Sequence, residues 1–382
     1  MVLYRHMEGP IKEEDSFEVL KTPEIVIQDE EGSQLLSLIL KAKNPEWGGG
    51  DNPLAEETRE YFEANQLDKE TLDFLDEIRA LQNGGVDKEA LYNIALTYGH
   101  QERNDQMFEF LAEHKSYIKN PQELQQKLFK AIDSMKRAFS ASSLSDKFNS
   151  EAEQDKKARL EKLEETRARI EKLIDFFKPD SDTTKIKRVS LTPTDPLVRK
   201  NTGTAFVFGE ELVLKTHIDN PDNLEHEFSH SVINPIVSKL FDRLTHEQKG
   251  KISELANKKL KQDYGEGCYS LLCEEFIRTY NDVFKIGRKP QTYEDFKRKI
   301  DGIVEEIFQK ELSQNESMKT RCDNLGIKTI EDFKDKSQEY FEMFEKNQLR
   351  DIIFEFYQKY ADRQDKNVNF ERFILSEFVT KI

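Results

Sequence analysis

The chain reads as an α+β fold that is predominantly helical: a helical N-terminal region followed by a unit built on a small sheet. Three observations predict this. Charged residues make up 35% of the 382 and hydrophobic ones only 36%, a polar balance that suits long helices with solvated faces. The 26 Phe and 12 Tyr supply apolar mass that a disordered chain lacks. Finally, strand-like residues fall in one short stretch between two long helical ones, the segregation that marks α+β chains. At roughly 100–200 residues per domain, the length allows two or three domains.

Charge narrows the function classes. Lys plus Arg at 58 against Asp plus Glu at 74 gives −16, which excludes a basic nucleic-acid-binding surface as the default reading. The longest apolar runs, Leu35–Leu40 and the segment around Val232–Val237, fall short of the ~18 residues of a membrane span. The N-terminus from Met1 to Pro10 has no apolar h-region, so no secretory signal is read there. Cys268, Cys273 and Cys322 are an odd count without zinc-knuckle spacing, which suits a reducing compartment. The expectation is a cytoplasmic protein with no membrane insertion.

In chain order, Glu24–Gln28 alternates as a short strand and Leu35–Leu40 is an apolar run, before Trp47 to Pro53 breaks the chain with strong turn chemistry. From Leu54 to about Phe139 the pattern is helical. Leu72, Phe74, Leu75, Ile78 and Leu81 recur at three- and four-residue steps, as do Leu91, Ile94 and Ala95. Asn83-Gly84-Gly85 punctuates these helices, and Asn120-Pro121 places Asn at an N-cap and Pro at the first helical position. Ser140 to Ser145 reads as a flexible joint. Glu151 to Lys178 reads as one long amphipathic helix, with Leu160, Leu163, Ile170, Ile174 and Phe177 at heptad-like steps and Arg167 in the seam; packing on neighbours explains it better than a dimerising coiled coil. Pro179 ends it. These signals divide the chain into an N-terminal helical domain with a short extended entry (1–140), a charged connecting helix (141–180) and a third unit (181–382).

That unit opens with strands at Lys185–Leu191, Thr204–Phe208 and Glu211–Thr216, the last two joined as a hairpin at Gly209-Glu210. Beyond Asn220 the pattern is helical again. Asn220 reads as an N-cap, Pro221 as the first helical residue, and Asp222 and Glu225 suit the helix dipole. Next comes His226-Glu227-Phe228-Ser229-His230. Two histidines four apart on a helix share one face and can direct two imidazole nitrogens at a single cation. Glu227 is offset by about 100° and lies beside the metal, where it can take a proton from a water. This is the H-E-x-x-H arrangement of zinc peptidases. Pro235 lacks an N–H, so the helix should end or kink one turn beyond His230, with Asn234 as its terminus.

A catalytic zinc needs a third protein ligand and an open position. His6, His100, His114, His217 and His246 include none at metzincin spacing. The helix Tyr269 to Tyr280 carries adjacent Glu274 and Glu275 among apolar residues, where carboxylates are rare unless paired or metal-bound. Glu274 is the first choice and Glu275 the alternative; Arg278, four residues after Glu274, shares its face and can orient it. Tyr264, Tyr269, Tyr280 and His217 are candidate donors to a tetrahedral intermediate. Gly265-Glu266-Gly267 beside Tyr264 reads as a bend or an ordinary connection between helices.

His226 to Pro235 and Cys273-Glu-Glu-Phe-Ile-Arg278 together resemble the signature of an uncharacterised bacterial family of gluzincin-type zinc metallopeptidases. In that family HEFSH is followed by Asn-Pro and later by a Glu-x-x-x-Arg helix. Tyr357 to Phe373 resembles its closing segment, and the resemblance covers about residues 185–382. It implies a zincin-like domain, one Zn2+ per chain held by His226, His230 and Glu274, Glu227 as catalytic base, and a peptide or protein substrate. Here Cys273 and Glu275 flank the ligand carboxylate, where the family usually has Asn and His. The alternative, from a different class, is a non-catalytic helical interaction protein whose metal site is structural or vestigial.

Overall fold

A computed structural model describes residues 18–43, 88–115, 118–140, 142–181, 184–192, 203–217, 220–256, 269–298, 326–342, 346–363 and 368–381, with isolated helical positions at 57, 60, 61, 69, 72, 73, 76, 261, 319 and 323. The turn at Trp47–Pro53, the Asn83-Gly84-Gly85 break, Tyr264 with its flanking glycines, His6, Cys268 and Cys322 lie outside the described residues.

The structure is mostly helical around one small mixed sheet. The strands are β1 (Glu24–Ile27), β2 (Arg188–Leu191), β3 (Gly203–Phe208) and β4 (Glu211–Thr216), in the order β1-β2-β4-β3. β1 and β4 run parallel to β2, while β3 is antiparallel to β4. Gly209 makes the hairpin turn at φ 59°, a conformation that favours a residue without Cβ.

The N-terminal helices are α1 (Glu31–Lys43), α2 (Lys88–Ala95), α3 (Asn104–His114) and α4 (Pro121–Ser140). Then come α5 (Ser143–Glu161), α6 (Leu163–Phe177), α7 (Pro221–Arg243), α8 (His246–Leu255), α9 (Tyr269–Arg278), α10 (Gln348–Asp362) and α11 (Phe370–Lys381). α9 continues into a wider π-turn at Thr279–Phe284. The expected cap at Asn120 forms, its Oδ1 accepting from the Glu123 N–H at 3.2 Å.

Strand alternation sends the two faces of the sheet into two cores. Ile25, Val189, Leu191, Leu212 and Leu214 join the cluster with Phe228, Val232, Phe276, Tyr357 and Phe370. Phe206, Phe208 and Val213 join the other, with Leu36, Leu91, Leu128 and Met135. The N-terminal segment thus supplies both an edge strand and one covering layer to the sheet of residues 188–216. The two layers are also pinned ionically. Arg103 is 2% exposed, and its guanidinium donates twice to Glu30 before β1's following helix, twice to Glu211 on β4 and once to the Leu96 carbonyl.

Three features differ from expectation. The helix read from Glu151 to Lys178 is two helices, broken at Lys162 with φ −96° and ψ 6°. Leu160 is consequently 56% exposed and takes no part in a seam. On α5 the buried pair Asp155–Arg159 reaches the Thr216 carbonyl, whereas α6 buries Ile170, Leu173, Ile174 and Phe177; one straight helix cannot present both sets to their partners. In the Ser-rich joint, Ser142 donates its N–H to the Phe139 carbonyl and caps α5 by accepting from the Ser145 N–H. Lastly, of the end or kink expected at Pro235 the end does not occur, and α7 runs on to Arg243. Ile236, Val237 and Leu240 are fully buried behind the proline, and this packing offsets the lost helical hydrogen bond.

Candidate metal centre

α7 starts where its sequence dictates. Asn220 accepts from the Asn223 N–H at 3.1 Å and Pro221 occupies the first turn. Leu224, Phe228 and Val232 are buried, packing the helix on the sheet and on α6 and α9. Glu225, also buried, is held by Arg169 at 2.8 Å and by Lys285, which follows the π-turn. With its apolar stripe fixed, α7 turns His226, Glu227 and His230 into a cleft of about 980 Å³, whose walls also include Gly203 and Ala205 of β3 and Glu274 and Arg278 of α9.

The two imidazoles stand edge to face, with ring centroids 5.1 Å apart. Glu274 reaches them from α9, with one carboxylate oxygen 3.7 Å from His226 Nε2 and the other 3.3 Å from His230 Nε2. One ligand atom from each residue lies within 4.8 Å of the other two, so His226, His230 and Glu274 form a group that could hold a metal ion. Two imidazole nitrogens and one carboxylate oxygen on a cleft wall are a donor set that suits zinc with an open position. The neighbouring residues orient the donors. Arg278 Nε donates to Glu274 at 3.1 Å, and Asn234 Oδ1 lies 3.2 Å from His230 Nδ1, which leaves Nε2 turned toward Glu274 when Nδ1 carries the proton.

The electrostatics separate the two cleft carboxylates. Burial pushes Glu227 from 4.5 up to about 7, since desolvation disfavours its charged form. Burial acts on Glu274 in the same sense, but the His230 hydrogen bond, both imidazoles and Arg278 outweigh it and hold Glu274 at about 2. Burial lowers His226 to about 4; it acts on His230 in the same sense, but the hydrogen bond and charge of Glu274 outweigh it and raise His230.

The other candidates fall elsewhere. Glu275 is fully buried on a different face of α9, turned by about 100° from Glu274, where it accepts from Arg350 Nε at 2.8 Å and Thr279 Oγ1 at 3.2 Å; it ties α9 to α10. Tyr280 is a core residue, its ring 4.7 Å from Phe177 and 5.6 Å from Tyr357, so it is not a cleft donor. His217 lines a separate small cavity with Asn220 and Leu224, and His246 is exposed at the start of α8. Tyr269 lines the cleft, its hydroxyl donating to the Asn234 carbonyl at 3.3 Å. Sequence reasoning gave Asn234 the role of helix terminus and missed its contact with His230, although the i, i+4 spacing on one helix carries that signal. It also passed over Gly203, whose neighbour Glu227 is distant in sequence.

No protein-family model, curated protein or solved structure matches this chain.

Proposed function

We propose that the chain is a zinc-dependent peptidase of the gluzincin type, with a zincin-like arrangement in residues 181–382. His226, His230 and Glu274 hold the metal and Glu227 is the general base. The observation that carries this reading is the division of labour between the two cleft carboxylates. Glu274 is drawn onto both imidazoles and kept ionised, while Glu227, on the same cleft wall, keeps a proton affinity near neutrality. A bound zinc supplies Lewis acidity, polarising a carbonyl and making water acidic enough to be deprotonated near pH 7.

The chain's own groups do the remainder. Glu227 lines the cleft beside the two imidazoles, placed to accept a proton and return it to a leaving amine. Arg278 and Asn234 fix the ligand orientations. Among the described residues β3 is paired on one side only, and Gly203, Ala205 and Val207 of this edge strand line the cleft, an arrangement suited to binding an extended peptide as an added strand. A purely structural metal site has no use for Glu227, whose burial costs free energy without adding a ligand.

Metal analysis paired with a peptide-library digest tests the reading. Wild type should carry about one zinc per chain and cleave peptides, and Glu227→Gln should keep the metal while losing turnover by about 10²–10⁴-fold. Equal cleavage by both proteins would remove Glu227 from the chemistry.

A further inference from the structure

We propose that Gly203 is a positioning residue for Glu227, its missing side chain fixing where that carboxylate lies against the edge strand. The inference rests on the reading of Glu227 as general base. Gly203 opens β3 opposite Thr216, on the cleft side shared with Ala205 and Val207. Its φ lies outside the left-handed region, unlike that of Gly209, so the backbone conformation is open to other residues. What excludes them is the neighbour. A Cβ at 203 would stand 2.8 Å from Glu227 Cγ, 3.0 Å from Glu227 Oε1 and 3.0 Å from Thr216 Cγ2.

Real Cβ atoms do not approach carbon at 2.8 Å. With any other residue at 203, either β3 moves outward or Glu227 swings away from its place beside the metal-binding group. The helix side cannot absorb the strain, because α7 is packed through Phe228 and Val232, both fully buried. None of the three atoms nearest the added Cβ belongs to His226, His230 or Glu274, so metal binding and base position are separable.

The test uses the full-length, zinc-loaded protein. Gly203→Ala should retain its zinc and hold KM within about twofold, while kcat falls by about a hundredfold, the scale expected of a group displaced by roughly 1 Å. A merely structural glycine would not split kcat from KM in this way. A double-mutant cycle on Tm supplies a readout independent of turnover: Gly203→Ala should lower Tm in the wild-type background and much less in Glu227→Ala, where the clashing atoms are gone. Unchanged kcat in Gly203→Ala overturns the proposal. So does an equal loss of Tm in both backgrounds, which would assign the clash to Thr216 and the strand. Absence of turnover in wild type overturns the peptidase reading and the catalytic meaning of Gly203 with it, and the cycle then still decides the packing contact.

Discussion

Glu227 is held in the fold at an energetic cost that its metal-free neighbours do not relieve. Its carboxyl titrates at about 7 in the folded chain against 4.5 when free. Between those values the folded state keeps a proton that the unfolded state has released, so its contribution to stability falls as pH rises through the window and stays unfavourable above it. Glu274 runs the other way: its stabilisation is present above about 4.5 and is lost as pH falls toward 2. Glu227→Gln should therefore stabilise the metal-free protein at pH 8 by on the order of 1–3 kcal/mol and change little at pH 4; urea unfolding at both values would show it. The adjacent pair on α9 gives a second contrast. Glu274→Gln should lose zinc, while Glu275→Gln should keep it and unfold at lower denaturant by about 1–3 kcal/mol, because it weakens the tie to Arg350 and Thr279. From the sequence, H-E-x-x-H named three of these residues outright, since helical periodicity alone puts His226 and His230 on one face. Arg278, four residues on, already favoured Glu274 over Glu275; what holds Glu275 instead, the half-buried Arg350 of α10, no local pattern announces.

At the scale of the element, α7 shows how far packing can override a local signal. The proline expected to end or kink the helix does not end it, because Ile233, Ile236, Val237 and Leu240 are buried on either side. The continuation puts Asn234 one turn beyond His230, within reach of its Nδ1. Asn234→Ala should lower zinc affinity by about 10–100-fold with little change in unfolding midpoint, measured by competition with a chelator. The N-terminus of α7 and the β3–β4 hairpin were legible because their determinants are contiguous: Asn220-Pro221 in one case, Gly209-Glu210 in the other. The break between α5 and α6 was not. Its cause lies in two burial directions, one toward Thr216 and one toward the aromatic core around Phe177, and heptad spacing cannot report a change of partner.

For the whole molecule, one sheet is shared by two helical layers, and no helix among the described residues is long and apolar enough to cross a membrane. The expected division at residues 140 and 180 follows composition, whereas the sheet joins residues 24–27 to 188–216. Arg103 sits at that junction. Arg103→Ala would leave Glu30 buried without its partner and should destabilise the protein by about 3–5 kcal/mol, readable by urea unfolding with the zinc site intact. Topology carries a further consequence, in time. β1 is parallel to a strand that begins at residue 188, so during synthesis it emerges roughly 160 residues before its partner, a wait of about 10–30 s at ribosomal rates. The hairpin of β3 and β4 needs only its own residues and can form as soon as it leaves the exit tunnel. Sheet assembly should therefore begin at the β3–β4 hairpin beside the candidate metal site and finish at β1, and pulse-labelled hydrogen exchange during refolding should protect Leu212–Leu214 before Ile25–Ile27. The slowest part of the sheet to form is then the edge farthest from the metal centre.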